Sequence, residues 1–429
     1  MRAFTWADLS ARERTEVLAR PARRRNAEVV EVVRRIFDDV EREGWDAVCR
    51  WGEALNQRAP YELPLTPDVV ARARAVLAPE DLEALELAIE NVRVFHERTK
   101  PTETEVEIRP GVHCRRVWRP VEACGLYAPG GETPLFSTLI MLAIPARVAG
   151  VPKISVATPP SASGAPKPIM IAAAAACGLD SLWVVGGAQA IAAMTYGVGM
   201  PKVDKIFGPG SAYVAEAKRL AAAGPGGPAI DVPAGPSELM VIADGNAEAA
   251  VVAADLLSQA EHDADAQVLF VSTSSSLAEA VERELERQMQ SLPRADIARR
   301  ALVQARSIVV SALAEAAEIA NAYAPEHLSL QVSEPAPLIG LIDNAGAIFV
   351  GAFSAETFGD YICGPSHVLP TDGAARAWSG VSVGSFMKSF SVQSLDRDGA
   401  KALSAAAARL ARLENLEAHA RAADIRTTL

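Results

Sequence analysis

With only six histidines in 429 residues, each can be weighed singly, and four stand beside residues that extend their chemistry. Gln259 and His262 lie in LLSQAEHDADAQ, on a helix expected to run on from Glu248. Their spacing puts an amide oxygen and an imidazole on one helix face, within reach of one ion. An amide is a weak ligand, so taken alone the pair reads more readily as a polar helix end. Glu326 and His327 lie in NAYAPEHLSLQV. Pro325 stops a helix and residues 328–332 read as strand, which puts the pair at a helix-to-strand corner. A carboxylate beside an imidazole suits general acid–base work, although a surface pair would look the same. Asp360 and His367 lie in FGDYICGPSHVLPT, where Gly359, Gly364 and Pro365 make a fixed loop. An acid and an imidazole held rigidly suit metal ligation or proton transfer. Glu414 and His419 fall on the last helix, about 140° apart around its axis, so they do not share a face. In isolation they read as solvated positions. His96 and His113 read as surface residues in ordinary helix and strand contexts.

These residues need a frame to position them, and the chain is long enough for two or more cores. Residues 26–100 read as helix, with Val29, Val32, Val33 and Ile36 forming one apolar stripe. Beyond Arg109 come short apolar runs bounded by Gly or Pro, at 154–157, 182–185, 239–243, 268–271, 308–310 and 347–350. Ala-rich helical stretches separate most of them, which predicts an α/β fold with mostly parallel sheets. Gly/Pro clusters at 125–131 and 224–237 are expected crossings between domains. The division that follows is an N-terminal segment (1–25), a first α/β domain (26–125 and 239–377), a second (126–238) and a helical C-terminal segment (378–429). After Gly384 the chain reads as helical, and residues 403–423 have no strand to pack on, as expected of a helix docking on a partner subunit. There is no GxGxxG. Strand–glycine–helix patterns at GGAQAIAAM and at IFGPGSAYVAEAKRL offer helix N-termini to a pyrophosphate, a signal that ordinary tight turns share.

A net charge of −11 without a basic block argues against nucleic acid as the main partner. Cys49, Cys114, Cys124, Cys177 and Cys363 are scattered, odd in number and form no CxxC, which predicts buried free thiols in a reducing compartment. The first residues lack the apolar core of a secretory signal, and no apolar run reaches a membrane span, so a soluble cytoplasmic protein is expected.

Taken together, the strings GLYAPGGETPLFSTLIM, VVGGAQAIAA, KIFGPGSAYVAEAKR, IDVPAGPSELMVIAD, DLLSQAEH, YAPEHL, GDYICGPSHVLPT and ENLEAHA resemble the L-histidinol dehydrogenase family, in that family's order. The resemblance implies two incomplete Rossmann-like domains and a zinc-dependent, NAD-linked enzyme. The implied reaction takes L-histidinol through L-histidinaldehyde to L-histidine, the last steps of histidine biosynthesis. It further implies that Gln259, His262, Asp360 and His419 bind one Zn²⁺ per subunit. Ser237, His367 and Glu414 would contact the substrate, together with His327 and the four ligands. Glu326 would activate water, His327 would shuttle protons, and Tyr127, Gln189 and Ser211 would contact NAD. The implied assembly is a homodimer that exchanges its C-terminal segments, so that both subunits build each site.

Two positions depart from the family pattern. Ser211 stands in GPGSAYV where Asn is usual, which shortens the reach of any NAD contact there. The stretch SGVSVGSFMKSFSV lacks the usual acidic residue and Lys-Arg pair and is expected to be surface or subunit-contact variation. Rival readings are a paralogue oxidising another polar alcohol, such as a dihydroxypropane sulfonate, a zinc hydrolase working through Glu326, and a non-catalytic oligomer stabilised by structural zinc. The first would need new Arg or Lys residues facing the metal, the second needs no nucleotide, and the third predicts no turnover.

Overall fold

The computed structural model describes residues 1–21, 27–55, 58–131, 134–231 and 235–428. The expected helix start at Asn26 lies outside the described residues, as do Glu132 and Thr133 of the first motif string and residues 232–234 of the second Gly/Pro cluster. Every expected apolar run forms a strand, and the fold is α/β with mostly parallel sheets. The first sheet orders its strands Arg2–Thr5, Arg306–Val309, Gln267–Ser272, Glu238–Ala243, His327–Gln331 and Ala347–Val350, all parallel. Its central strands are buried at every position, as a sheet covered on both faces requires. Alternate residues enter opposite cores: Leu239, Val241 and Phe270 pack with the helices Ala249–Ala260, Ser275–Met289 and Ala295–Gln304. Met240, Ile242, Leu269 and Leu328 pack with Leu313–Tyr323 on the other face.

The second sheet orders Tyr61–Pro64, Ser181–Val184, Lys153–Thr158, Ala123–Tyr127, Lys205–Phe207 and Ala229–Ile230, with only the first of these antiparallel to its neighbour. Val29, Val33, Ile36 and Phe37 of the helix Ala27–Glu43 pack on this sheet, against Ala188, Ile191 and Ala192. Leu85 and Val92 of Pro79–Arg98 join its other face. Residues 27–98 therefore group with the second sheet, whereas the sequence reading joined 26–125 to the first. The apolar stripe was visible; which sheet would cover it was not.

A three-stranded antiparallel sheet, Thr104–Arg109, Val112–Pro120 and Met387–Leu395, was not expected at all. Its last strand corrects the expectation of helix directly after Gly384. The continuous terminal helix is also two helices, Arg397–Leu413 and Glu417–Asp424, broken where Asn415 takes a left-handed φ of 60°. Within the departing stretch, Val383 and Phe386 are buried and Phe386 stacks on Phe207 at 4.0 Å, so that part is core rather than surface. All five cysteines are free, but only Cys124 and Cys177 are buried; Cys49 and Cys114 are half-buried and Cys363 is exposed. His96 is buried, not on the surface: its Nδ1 donates to the Val92 carbonyl one turn back at 2.8 Å, its Nε2 is buried without a partner, and burial favours the neutral ring. No helix among the described residues is long and apolar enough to cross a membrane.

Candidate active site

A cavity of about 190 Å³ lies between the two large sheets. Glu326, His327, His262, Asp360 and Ser237 line it from the first sheet's side, and Pro209 and Asp231 from loops of the second. His327 opens its strand and Glu238 opens the neighbouring one, so the reacting groups stand at the amino edge of the first sheet. Tyr127 ends its strand and Gly208 follows Phe207, which brings the carboxyl edge of the second sheet, the usual ligand side of an open α/β sheet, to the same cleft.

The protonation of His327 is fixed by a carbonyl. Its Nδ1 lies 3.1 Å from the main-chain oxygen of Glu238, which can only accept, so Nδ1 carries the proton. Nε2 is left bare, buried and unpartnered, 3.9 Å from Asp360 Oδ1. Burial pushes His327 down to about 3, which keeps the ring neutral. Glu326 Oε2 accepts from the Glu238 amide at 2.8 Å and lies 3.6 Å from His327 Nδ1. Burial raises Glu326 well above the usual carboxylate range. His367 is wired in the same way: Nδ1 donates to the Asp360 carbonyl at 2.8 Å, and Nε2 accepts from the Thr138 hydroxyl at 3.1 Å. Burial lowers it to about 4.

The helix Ala249–Ala260 ends before His262, so Gln259 and His262 do not share a helix face as expected; the chain turns there through a bond from the His262 amide to the Gln259 carbonyl at 3.2 Å. Gln259 is fully buried with both amide atoms unpartnered. His262, Asp360 and Glu356 bring ligand atoms within 4.8 Å of one another. Burial raises Asp360 to about 6, and burial followed by the neighbouring Asp360, Glu326 and Asp255 raises Glu356 strongly. Nitrogen and oxygen donors, an orphaned amide and crowded acids that resist ionisation fit a divalent cation, whose charge favours the ionised carboxylates. Glu356 was missed in the sequence. Its signal was the four-residue spacing to Asp360, which puts both on one face of Glu356–Tyr361.

On the second sheet's side, the Gly187 amide donates to the Tyr127 hydroxyl at 3.1 Å. Gln189 is fully buried beneath this turn, both amide atoms unpartnered. Ser211 is exposed and precedes the helix Ala212–Ala223 without capping it. Asp231, also missed, accepts from the Gly208 amide at 2.6 Å and pairs with Lys218, which donates to the Gly208 carbonyl at 2.9 Å. Gly208 is obligatory, since a Cβ there would sit 2.0 Å from the Tyr127 carbonyl oxygen. The structure therefore gathers Ser237, His262, Glu326, His327, Asp360 and His367 around one cavity. Glu414 and His419 are not among them; both are exposed at the C-terminus.

A model of the histidinol dehydrogenase family matches residues 19–427. The chain belongs to the histidinol dehydrogenase family. It is similar to histidinol dehydrogenase of Xanthomonas oryzae pv. oryzae, 45% identical over 428 residues and covering 99% of each chain. The Vibrio vulnificus histidinol dehydrogenase is 42% identical over 427 residues, 99% of this chain and 98% of that one. Among solved structures, histidinol dehydrogenase from Elizabethkingia anophelis superposes with a TM-score of 0.96 at 38% identity, covering 100% of this chain and 98% of that one. Membership makes the chain an enzyme, an NAD-dependent oxidoreductase.

Proposed function

We propose that the enzyme oxidises L-histidinol through L-histidinaldehyde to L-histidine, the last steps of histidine biosynthesis, as a cytoplasmic homodimer with one Zn²⁺ per subunit. Family membership supports the substrate. The observation that carries the chemistry is His327, neutral, with Nε2 bare in the cavity and Glu326 beside it. Gln259, His262 and Asp360, with His419 of the partner subunit, would hold Zn²⁺, and Glu356 brings a carboxylate oxygen within 4.8 Å of the His262 and Asp360 ligand atoms. When bound, Zn²⁺ supplies a Lewis acid suited to the amine and imidazole nitrogens of histidinol. NAD⁺, the hydride acceptor, would lie against Tyr127, Gln189 and Ser211 at the second sheet.

The chain's own groups then divide the work. Nε2 of His327 accepts the alcohol proton while Nδ1 stays engaged by the Glu238 carbonyl, so the ring gains charge without losing its orientation. Glu326, held by the Glu238 amide, takes a proton from the water that adds to the aldehyde. Ser237 and His367 orient the substrate in the cavity. No Lys or Arg lines the cavity among the described residues, so the sulfonate of a rival substrate would meet no cation from this chain. The test is stoichiometry. Zinc-loaded enzyme with histidinol should form two NADH per substrate consumed. One NADH with free aldehyde in solution, or hydrolysis of other substrates without NAD⁺ reduction, would overturn the reading.

A further inference from the structure

Behind the reacting groups lies a residue of the N-terminal segment. The strand Arg2–Thr5 pairs at the edge of the first sheet, the helix Ala11–Leu18 follows, and the Ala19 carbonyl accepts from Arg306 Nη2 at 2.7 Å. The next residue, Arg20, sends Nε and Nη2 to the two carboxylate oxygens of Glu238 at 2.5 and 2.7 Å. Nη2 also donates to the Tyr323 carbonyl at 2.9 Å, and the guanidinium lies 3.8 Å from the centroid of the Tyr323 ring. The Glu238 carboxylate is 1% exposed; besides Arg20 it accepts from the Asp372 amide at 3.2 Å.

Among the described residues, Glu238 is the one whose main chain bonds both reacting groups, its amide on Glu326 and its carbonyl on His327. The Arg20 contact with Tyr323 reaches the same groups from the other strand. Tyr323 ends its helix, and Ala324 then takes a left-handed φ of 54°, a conformation that costs a residue with a Cβ and needs its surroundings to hold it. Pro325 and Glu326 follow at once. A single guanidinium thus grips the start of one strand through a carboxylate and the corner leading into the next through a carbonyl. Only a planar fork makes two parallel bonds to a carboxylate and a third to a carbonyl; an ammonium group cannot.

We infer that Arg20 is a positioning residue, which through Glu238 and the 323–326 corner sets Glu326 and His327 at their working separation. The inference rests on the reading that these two residues carry the chemistry. A buried ion pair adds little stability over an apolar pair of similar volume. What this one supplies is a fixed distance between two strand ends, to which catalysis is sensitive.

The test uses full-length zinc-loaded enzyme in four variants: Arg20→Met, Arg20→Lys, Arg20→Met/Glu238→Leu and Glu326→Gln. The readouts are the thermal midpoint, zinc per subunit, kcat, and KM for NAD⁺ and histidinol. Arg20→Met should lower kcat by about 10- to 100-fold, the scale of an ångström-sized misplacement, with KM for NAD⁺ and zinc content unchanged. Arg20→Lys should fall between it and the parent. The double variant, which leaves no unpaired buried charge, should regain the thermal midpoint and not kcat. Recovery of kcat in step with the thermal midpoint would reduce Arg20 to a structural role and overturn the inference. Full kcat in Arg20→Met, with Glu326→Gln impaired, would overturn it while sparing the reading of the site. Full kcat in Glu326→Gln would overturn both.

Discussion

His327 and Glu326 illustrate how one backbone residue sets two chemistries. The Glu238 amide faces the carboxylate and its carbonyl faces the ring, so the acid is steadied as an acceptor and the imidazole as a base with a free Nε2. Since only the aldehyde step needs water, Glu326→Gln should slow aldehyde oxidation far more than alcohol oxidation. Rapid-quench measurement of each hydride transfer checks this, and equal loss in both steps would contradict the assigned role. A second prediction concerns Asp255, which accepts from Ser329 Oγ and Gln331 Nε2, both at 3.3 Å, in the core. Burial raises it from 3.8 to about 6. The folded chain therefore holds this proton to higher pH than the unfolded chain does. Its stabilising contribution is present below about pH 4 and is lost as pH rises to about 6, leaving the ionised form about 3 kcal/mol costly at neutral pH. Asp255→Asn should remove that part of the pH dependence, raising the thermal midpoint at pH 7.5 relative to the parent more than at pH 4.5. At this scale the sequence was partly legible. Rare histidines with acidic or amide neighbours led to the cavity. Glu356 and Asp231 did not stand out, because a lone acid acquires its meaning only from what the fold packs around it.

Among the elements, the parallel strands were legible because buried strands must be continuously apolar and end in turn residues. The antiparallel sheet was not read: Thr104–Arg109 alternates apolar and charged residues, but it is short and even Val106 and Ile108 are exposed, and Met387–Leu395 is mostly polar. The helix break at Asn415 was hidden too, since the Ala/Leu/Arg composition runs on through it. Tertiary bonds hold the turn that leads into the proposed nucleotide helix. Lys218 and Asp231 are nearly fully buried and grip Gly208 by its carbonyl and its amide. Lys218→Met should leave the buried Asp231 carboxyl without its ion-pair partner, at a cost of about 3–5 kcal/mol. The Gly208–Gly210 turn would loosen with it. KM for NAD⁺ should then rise several-fold more than KM for histidinol, as steady-state kinetics would read. An equal change in both would detach this turn from the nucleotide.

At the scale of the whole molecule, the C-terminal helices set the last question. Leu410 and Leu413 on the first of them, Leu416 in the break between them and Ile425 just past the second are exposed, large apolar side chains that this chain leaves uncovered. Glu414 and His419 stand on the same segment, exposed, and neither lines the cavity that gathers Ser237, His262, Glu326, His327, Asp360 and His367. A homodimer that exchanges these segments, as proposed, covers the apolar side chains and completes each site at once. Each site would combine His262, Glu326, His327 and Asp360 of one chain with Glu414 and His419 of the partner subunit. Complementation tests it. His327→Ala and His419→Ala homodimers should each be nearly inactive. Mixed dimers formed by co-expression should regain activity, because one of their two sites draws an intact His327 from one chain and an intact His419 from the other. If both residues served the same chain's site, every site in the mixed dimer would carry one lesion and no activity would return.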